Sequence, residues 1–279
     1  MLNPQVSIIC PYFDAASFLP TLIHNVLRQT YRSWELLLID DCSTDDGPLL
    51  AAKAAKSDPR ICALSAPQRP VGLPSGPWWP RNVGLGHAHS ELIAFLDVDD
   101  LWHPLKLERQ LFWHLQASAA LSVTAYSRFN VTTRQILNSR VPPSTFGYGR
   151  LRMNNVIPML TALVDRRLLV DQFRPCCHED YLFWLSILRA NADARCIGIP
   201  EILAYYAVHD RNLTRARWKM PFWTYQVYRS HGMNSINSLL SLAPWFAIHL
   251  SQRVGDVLPG SDLTVDQLLS AQLSTDTPS

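Results

Sequence analysis

The residues best suited to chemistry sit in residues 91–102 (ELIAFLDVDDLW), where an apolar run over 92–96 empties into Asp97, Asp99 and Asp100. Carboxylates packed this closely repel one another, and a positive partner normally relieves the repulsion. A hard divalent cation such as Mg2+ or Mn2+ suits one or two carboxylates, its shell completed by substrate phosphates. The same acids also suit a solvated turn capping a helix that begins near His103 and Pro104. A second acidic set, Asp40 and Asp41, follows the apolar run over 34–39. A third, Glu179 and Asp180, opens an amphipathic stretch over 181–190. An acid pair at a helix start also serves capping and the helix dipole.

The patterning around these acids predicts the elements that position them. Buried strands are expected over 6–10, 34–39, 61–64 and 92–96, and helices over 21–29, 48–56, 83–89 and 105–116. Strand, helix, strand at this spacing is a βαβ unit, so the fold class is α/β with a mostly parallel, Rossmann-like central sheet flanked by helices. Asp40/Asp41 and Asp97/Asp99/Asp100 then stand at the C-terminal ends of two parallel strands and open on one edge, where such sheets bind ligands. Residues 65–80 are irregular and proline-rich. Further strands are expected over 122–129, 157–164 and 203–208, with 132–154 rich in loops. A helical C-terminal extension is expected from about residue 220, with a polar tail that frays after 260.

Hydrophobic residues are 48% and charged residues 17%, so the chain is globular and holds a sizeable core. A formal net charge of +2 gives no argument for nucleic acid. The six cysteines are scattered without a CxxC pair, which predicts free buried thiols in a reducing cytosol. The N-terminal MLNPQVSIIC lacks the pattern of a signal peptide, and no apolar run approaches bilayer length. The expectation is a cytoplasmic protein. The aromatic and basic residues over 221–250 are compatible with peripheral contact at the inner face of a membrane, or with packing on the domain.

Six pieces in order, VSIICPYFD, LRQTYRSWELLLIDDCSTDDG, PRNVGL, ELIAFLDVDDLW, HEDYLFW and YAVHDRNLTR, resemble the glycosyltransferase family 2 proteins over roughly residues 4–215. The resemblance implies a GT-A fold in residues 1–219. A nucleotide-sugar-binding half would span 1–102 and an acceptor and catalytic-base half 103–219. It implies a nucleotide-diphospho-sugar donor, commonly with uracil as the base, and a glycan, lipid-linked or small-molecule acceptor. Pro11, Tyr12 and Asp14 match the wall of the nucleotide pocket, Asp41 the carboxylate that reads the base, and Arg81 a basic residue facing nucleotide or phosphates. Asp97-Val98-Asp99 corresponds to the DxD motif, extended by Asp100, and implies Mn2+ or Mg2+ on the donor's phosphates. Asp180 aligns with the catalytic base, supported by Glu179. His209, with Asn212 and Thr214, resembles a late segment near the metal. The loop GLPSGPWWPRN is bulkier than the family's usual approach to the arginine.

The implied activity is inverting transfer in one metal-assisted displacement. A nucleotidyltransferase would want a glycine-rich, basic phosphate loop after the first strand, which PYFDAASF is not. A non-catalytic carbohydrate-binding or complex-forming homologue would be expected to have lost the acids that stand here. Trp102 and the Trp78-Trp79 pair suit either ring stacking or the core, and Trp184 suits the core. His87, His89 and His178 are read as structural or surface groups.

Overall fold

The computed structural model describes residues 5–209, 220–243, 257–259 and 263–271. Asn212 and Thr214 lie outside the described residues. Strands β1 (Val6–Tyr12), β2 (Trp34–Asp40), β3 (Ile61–Ser65) and β4 (Leu92–Phe95) pair in parallel in the order β3-β2-β1-β4. Their crossovers are α1 (Leu19–Leu27), α2 (Gly47–Ser57) and α3 (Trp78–His87). Proline does not halt β1 as its usual behaviour suggests. Pro11 stays in the strand, opposite Ile39 of β2.

After β4 come the short β5 (Leu101–Trp102), α4 (Lys106–Gln116) and the long β6 (Leu121–Asn130). The expected loops over 132–154 instead hold β7 (Ile136–Arg140), β8 (Thr145–Phe146) and α5 (Tyr148–Met153). These short elements borrow their order from neighbours. β7 lies antiparallel on β6, and β8 antiparallel on the later segment Cys196–Ile197. Then follow β9 (Ala162–Asp165), α6 (Glu179–Ala190) and β10 (Cys196–Val208). β9 is antiparallel to both β4 and β6, so β6, with β10 parallel beside it, runs in the direction of β1 to β4. The sheet is therefore mixed by pairing, while its six main strands share one direction.

Strand alternation sorts the core into two layers. Val6, Ile8, Cys10, Leu36, Leu38 and Ala94 face α1, α2 and α4. Ile9, Leu37, Ile39, Ile93 and Phe95 face α3 and α6. Helices α7 (Met220–Ser230) and α8 (Ser235–Leu240) follow, with Val227 and Tyr228 packed in the second layer. Beyond them the extension is not purely helical. β11 (Val257–Pro259) pairs with β7, ahead of α9 (Val265–Ala271), because an edge strand offers unpaired backbone groups.

One helix fixes the segment that follows the acids. Asn25 of α1 donates from Nδ2 to Trp102 O and accepts Trp102 N–H, both at 2.8 Å. Gln29 donates to His103 O at 2.8 Å and accepts Leu107 N–H at 3.2 Å. Trp102 itself is fully buried, donates from Nε1 to Leu160 O at 2.8 Å and carries Lys106 Nζ 3.7 Å over its ring. It is a core residue, the second of the two readings its sequence position allows.

Asn25→Ala leaves a buried N–H and C=O of Trp102 without partners. It should cost roughly 2–4 kcal/mol in urea denaturation; a loss within experimental error would show that the clamp does not matter.

Candidate functional site

Beyond β4 the chain reverses through residues 97–100, with Asp100 N–H donating to Asp97 O at 3.1 Å. The turn sorts its three carboxylates. Asp97 and Asp99 stay at the surface, with side chains 36% and 27% exposed. Asp100 is 2% exposed and accepts Ala207 N–H of β10 at 2.8 Å. Burial first, then the charges of Asp99 and Asp97, push the Asp100 carboxyl well above the usual carboxylate range. Val98 is half-buried between them.

Helix α3 begins at Trp78, five residues before the predicted start at 83, and this carries Arg81 onto its first turn. Trp78 Nε1–H donates to Pro74 O and Trp79 Nε1–H to Pro67 O, so both rings brace the proline-rich approach. Arg81 is 3% exposed. Its Nη2–H donates to Asp97 Oδ1 at 2.6 Å and its Nη1–H to Glu179 Oε1 at 2.8 Å. Burial pulls the guanidinium pKa down most strongly, but Asp97 and Glu179 outweigh it and the net shift is upward. Arg81 stays charged. Each of its terminal nitrogens donates to a protein carboxylate at the mouth where the resemblance places the nucleotide and its phosphates.

Glu179 and Asp180 are the first two residues of α6, after His178 in the left-handed conformation at φ 61°. Burial raises the Glu179 carboxyl, Arg81 opposes it and Asp180 adds to it, for a net upward shift. Asp180 is half-buried, and its Oδ2 accepts Asn155 Nδ2–H at 3.3 Å. At the end of β10, His209 Nε2–H donates to Asp99 Oδ2 at 2.6 Å, with Phe18 edge-on to its ring.

The exit loops of β1 and β2 interlock beside this turn. Thr44 N–H donates to Asp14 Oδ1 at 2.7 Å, Asp14 N–H to Ser43 Oγ at 3.0 Å and Ala16 N–H to Asp45 Oδ2 at 2.7 Å. Asp14 and Cys42 take positive φ values of 44° and 66° to make this fit. Tyr12 is buried, and burial with the Asp40 charge holds its hydroxyl neutral. Asp41 is pushed up by burial and pulled back by Arg69, 4.0 Å away.

Arg81, Asp97 and Glu179 are thus joined directly, Asp99 with His209, and Asp180 follows Glu179 in the chain. Asp14 and Asp41 sit on the neighbouring loops. Sequence reasoning missed Asn155, Arg69 and Asn25, none of which sits in a motif. Asn155 is placed by the route from α5 to β9. The thiols also differ from expectation. Cys10 and Cys196 are buried, whereas Cys42, Cys62 and Cys177 are exposed because the edge strand β3 and the loops leave them uncovered. Among the described residues, no three His, Cys, Asp or Glu side chains converge as a ready-made metal site.

A sequence model described as glycosyl transferase family 2 matches residues 7–168. The chain belongs to this family. WfgD of Escherichia coli, named a UDP-Glc:alpha-D-GlcNAc-diphosphoundecaprenol beta-1,3-glucosyltransferase, is 34% identical over 77% of this chain and 81% of its own. TuaG of Bacillus subtilis (strain 168), named for teichuronic acid biosynthesis, is 32% identical over 81% of this chain and 88% of its own. Among solved structures, S. aureus TarS 1-349 in complex with UDP-GlcNAc aligns at TM-score 0.64 and 19% identity, covering 88% of this chain and 73% of that one. The Pyrobaculum calidifontis mannosyltransferase PcManGT in complex with GDP-Man and Mn2+ aligns at TM-score 0.62 and 18% identity, covering 99% and 81%. These likenesses establish the GT-A fold, and family membership makes the chain a glycosyltransferase.

The buried placement of Asp100 predicts a pH signature. Its folded pKa stands above its unfolded value, so its contribution to stability is intact below the unfolded value and is lost as pH rises through the folded one. Asp100→Asn keeps an acceptor for Ala207 N–H and removes the charge. In metal-free protein the variant's denaturation midpoint should exceed the wild type's on the alkaline side, with the gap closing on acidification. A gap that widens on acidification contradicts the assignment.

Proposed function

We propose that the protein is an inverting glycosyltransferase that moves a sugar from a nucleotide-diphospho-sugar, of the uridine class, to a hydroxyl of a glycan or lipid-linked acceptor. The observation that carries this reading is the Arg81 bridge. It ties the acidic turn after β4 to the start of α6, and so brings Asp97 and Asp180 to one mouth of the sheet. WfgD's name gives a UDP-sugar donor and a diphosphate-linked acceptor for that relative, and TarS was solved with UDP-GlcNAc.

In this reading, residues 1–102 hold the donor and 103–219 the acceptor and base, with 220–279 as an extension. Asp41 reads the base of the nucleotide, and Pro11, Tyr12, Asp14 and Val98 wall its pocket. Asp180, oriented by Asn155, accepts the proton of the attacking hydroxyl. The acceptor oxygen bonds to the anomeric carbon as the bond to phosphate breaks, and the nucleoside diphosphate leaves with the electron pair. One displacement inverts the centre. Glu179 positions Arg81, and Arg81 holds Asp97 in place.

The donor set suits a divalent cation. Asp97 and Asp99 offer exposed carboxylate oxygens, the ligand type that suits Mn2+ and Mg2+, and the imidazole of His209 stands against Asp99. Asp99 and His209, with Asp97 beside them, would hold it, and Asp100 shapes the turn from below. When bound, such a cation supplies Lewis-acid stabilisation of the departing diphosphate. Among the described residues, too few groups converge here to hold it alone, which suits an ion whose shell the donor's phosphates complete.

Thermal stabilisation by UDP or a UDP-sugar with Mn2+, lost in EDTA, is the expected result across a nucleotide panel. Asp180→Asn should keep that shift while lowering kcat by roughly 10²–10⁴-fold. Full-rate transfer by the variant, or no shift with any nucleotide, rejects the scheme.

No helix among the described residues is long and apolar enough to cross a membrane. Phe222 of α7 and Ile236, Leu239 and Leu240 of α8 are nonetheless exposed, and we place peripheral membrane contact there. The protein should co-float with anionic liposomes, and Leu239→Glu with Leu240→Glu should weaken this. Absence of co-flotation by the wild type removes the idea.

A further inference from the structure

The sheet splits at β6. Strand β10 occupies one edge of β6 along its whole length, from Leu121 to Asn130. β9 and β7 must therefore share the other edge. β9 pairs with Leu121, Ser122 and Val123, and β7 pairs from Tyr126 onward. Between them, neither strand pairs with Thr124 or Ala125. Strands that part from a common neighbour leave a crevice between them.

Here the crevice is a cleft of about 310 Å3, whose lining includes Thr124, Arg140, Arg150 and Asn155, with Pro142 and Pro143 as one wall. That wall is pressed onto β10 at Gly198, where a Cβ would fall 2.1 Å from Pro143 O, so the cleft is held open by rigid backbone. Thr124 is 1% exposed, and its Oγ1 has no hydrogen-bond partner among the described residues. Buried hydroxyls are almost always satisfied, so this one calls for a ligand or water. Asn155 lines the cleft and donates to Asp180, which joins the cleft to the proposed base.

The charge pattern selects the ligand. Among the described residues, two guanidinium groups line the cleft and no carboxylate does. In the neighbouring mouth Arg81 is held by Asp97 and Glu179, with Asp180 following Glu179 in the chain and Asp99 two residues beyond Asp97. A neutral sugar needs no cations to be held, whereas guanidinium groups match phosphate oxygens in charge and geometry. We propose that this cleft is the acceptor subsite for a glycosyl diphosphate. Arg140 and Arg150 take its phosphates, and Asn155 meets the sugar whose hydroxyl faces Asp180. The two diphosphates of the reaction are then kept apart, the donor's at the acids with its cation and the acceptor's at the arginines. The proposal rests on the transferase reading above and extends it to the acceptor class.

The test uses four probes in calorimetric titration: N-acetylglucosamine 1-diphosphate with a short prenyl tail, the same compound without the tail, methyl N-acetylglucosaminide, and UDP with Mn2+. In EDTA, the diphosphate compounds should bind wild-type protein and the methyl glycoside should not. Arg150→Glu should weaken diphosphate binding by roughly ten- to a hundredfold while leaving UDP binding with Mn2+ unchanged. Arg150→Gln serves the same purpose if the charge reversal impairs folding. Binding of both diphosphates alike assigns the arginines to the phosphates alone, and binding of the tailed compound alone assigns the cleft to a lipid-linked form; either supports the subsite. Equal binding of the methyl glycoside, displacement of the diphosphates by UDP, or indifference to Arg150 overturns it. Diphosphate binding without UDP binding would leave the cleft standing and remove the donor reading; the reverse would do the opposite.

Discussion

The site depends on a buried cation shared by two carboxylates. Arg81 reaches Asp97 at the end of β4 and Glu179 at the start of α6, and it has almost no contact with solvent. Taking a guanidinium out of water is costly, and only well-formed partners on both sides offset that cost. Removing either acid would strand the charge, so the structure tolerates one relative position of strand end and helix start. Asp180, next in the chain after Glu179, inherits that position. A buried ion pair of this kind argues for register more than for stability.

Hydrogen bonds from the opposite face complete the constraint. Asn25 and Gln29 of α1 fasten the backbone of Trp102, His103 and Leu107, directly after the acidic turn. Asp100 then fastens the same turn to β10 through Ala207. The turn is thus pinned from three sides, which leaves Asp97 and Asp99 as its solvent-facing carboxylates. Like charges held together against their repulsion favour the arrival of a cation, and the acid-free, arginine-lined cleft nearby has the opposite preference.

Legibility followed how local each feature's cause is. The apolar runs that became β1, β2 and β4 carry their own signal, since a buried parallel strand is apolar on both faces. So the acids at the ends of β2 and β4 could be placed on one edge before any coordinates. Residues 132–154 carry a loop-rich pattern because their short strands are ordered by β6 and β10 and have little pattern of their own. Trp102 is left open between stacking and core by its sequence, because an aromatic next to acids carries no mark of burial. Its partners, Leu160 and Lys106, come from other elements.

The chemistry on offer was fixed by the order of residues: an acidic turn, a second acid pair on a helix start, and an arginine ahead of both. Side-chain type and spacing along one element settle such features, because they need no contact with the rest of the chain. Which acids face solvent was decided only by tertiary structure. Asp99 and Asp100 are adjacent and chemically identical, yet one meets His209 and the other Ala207 N–H. The commitment of Arg81 to two distant carboxylates, and the cleft where β7 and β9 part along β6, arise in the same way. Each depends on groups far apart in the chain, and their meeting is set by how the sheet pairs and the helices pack.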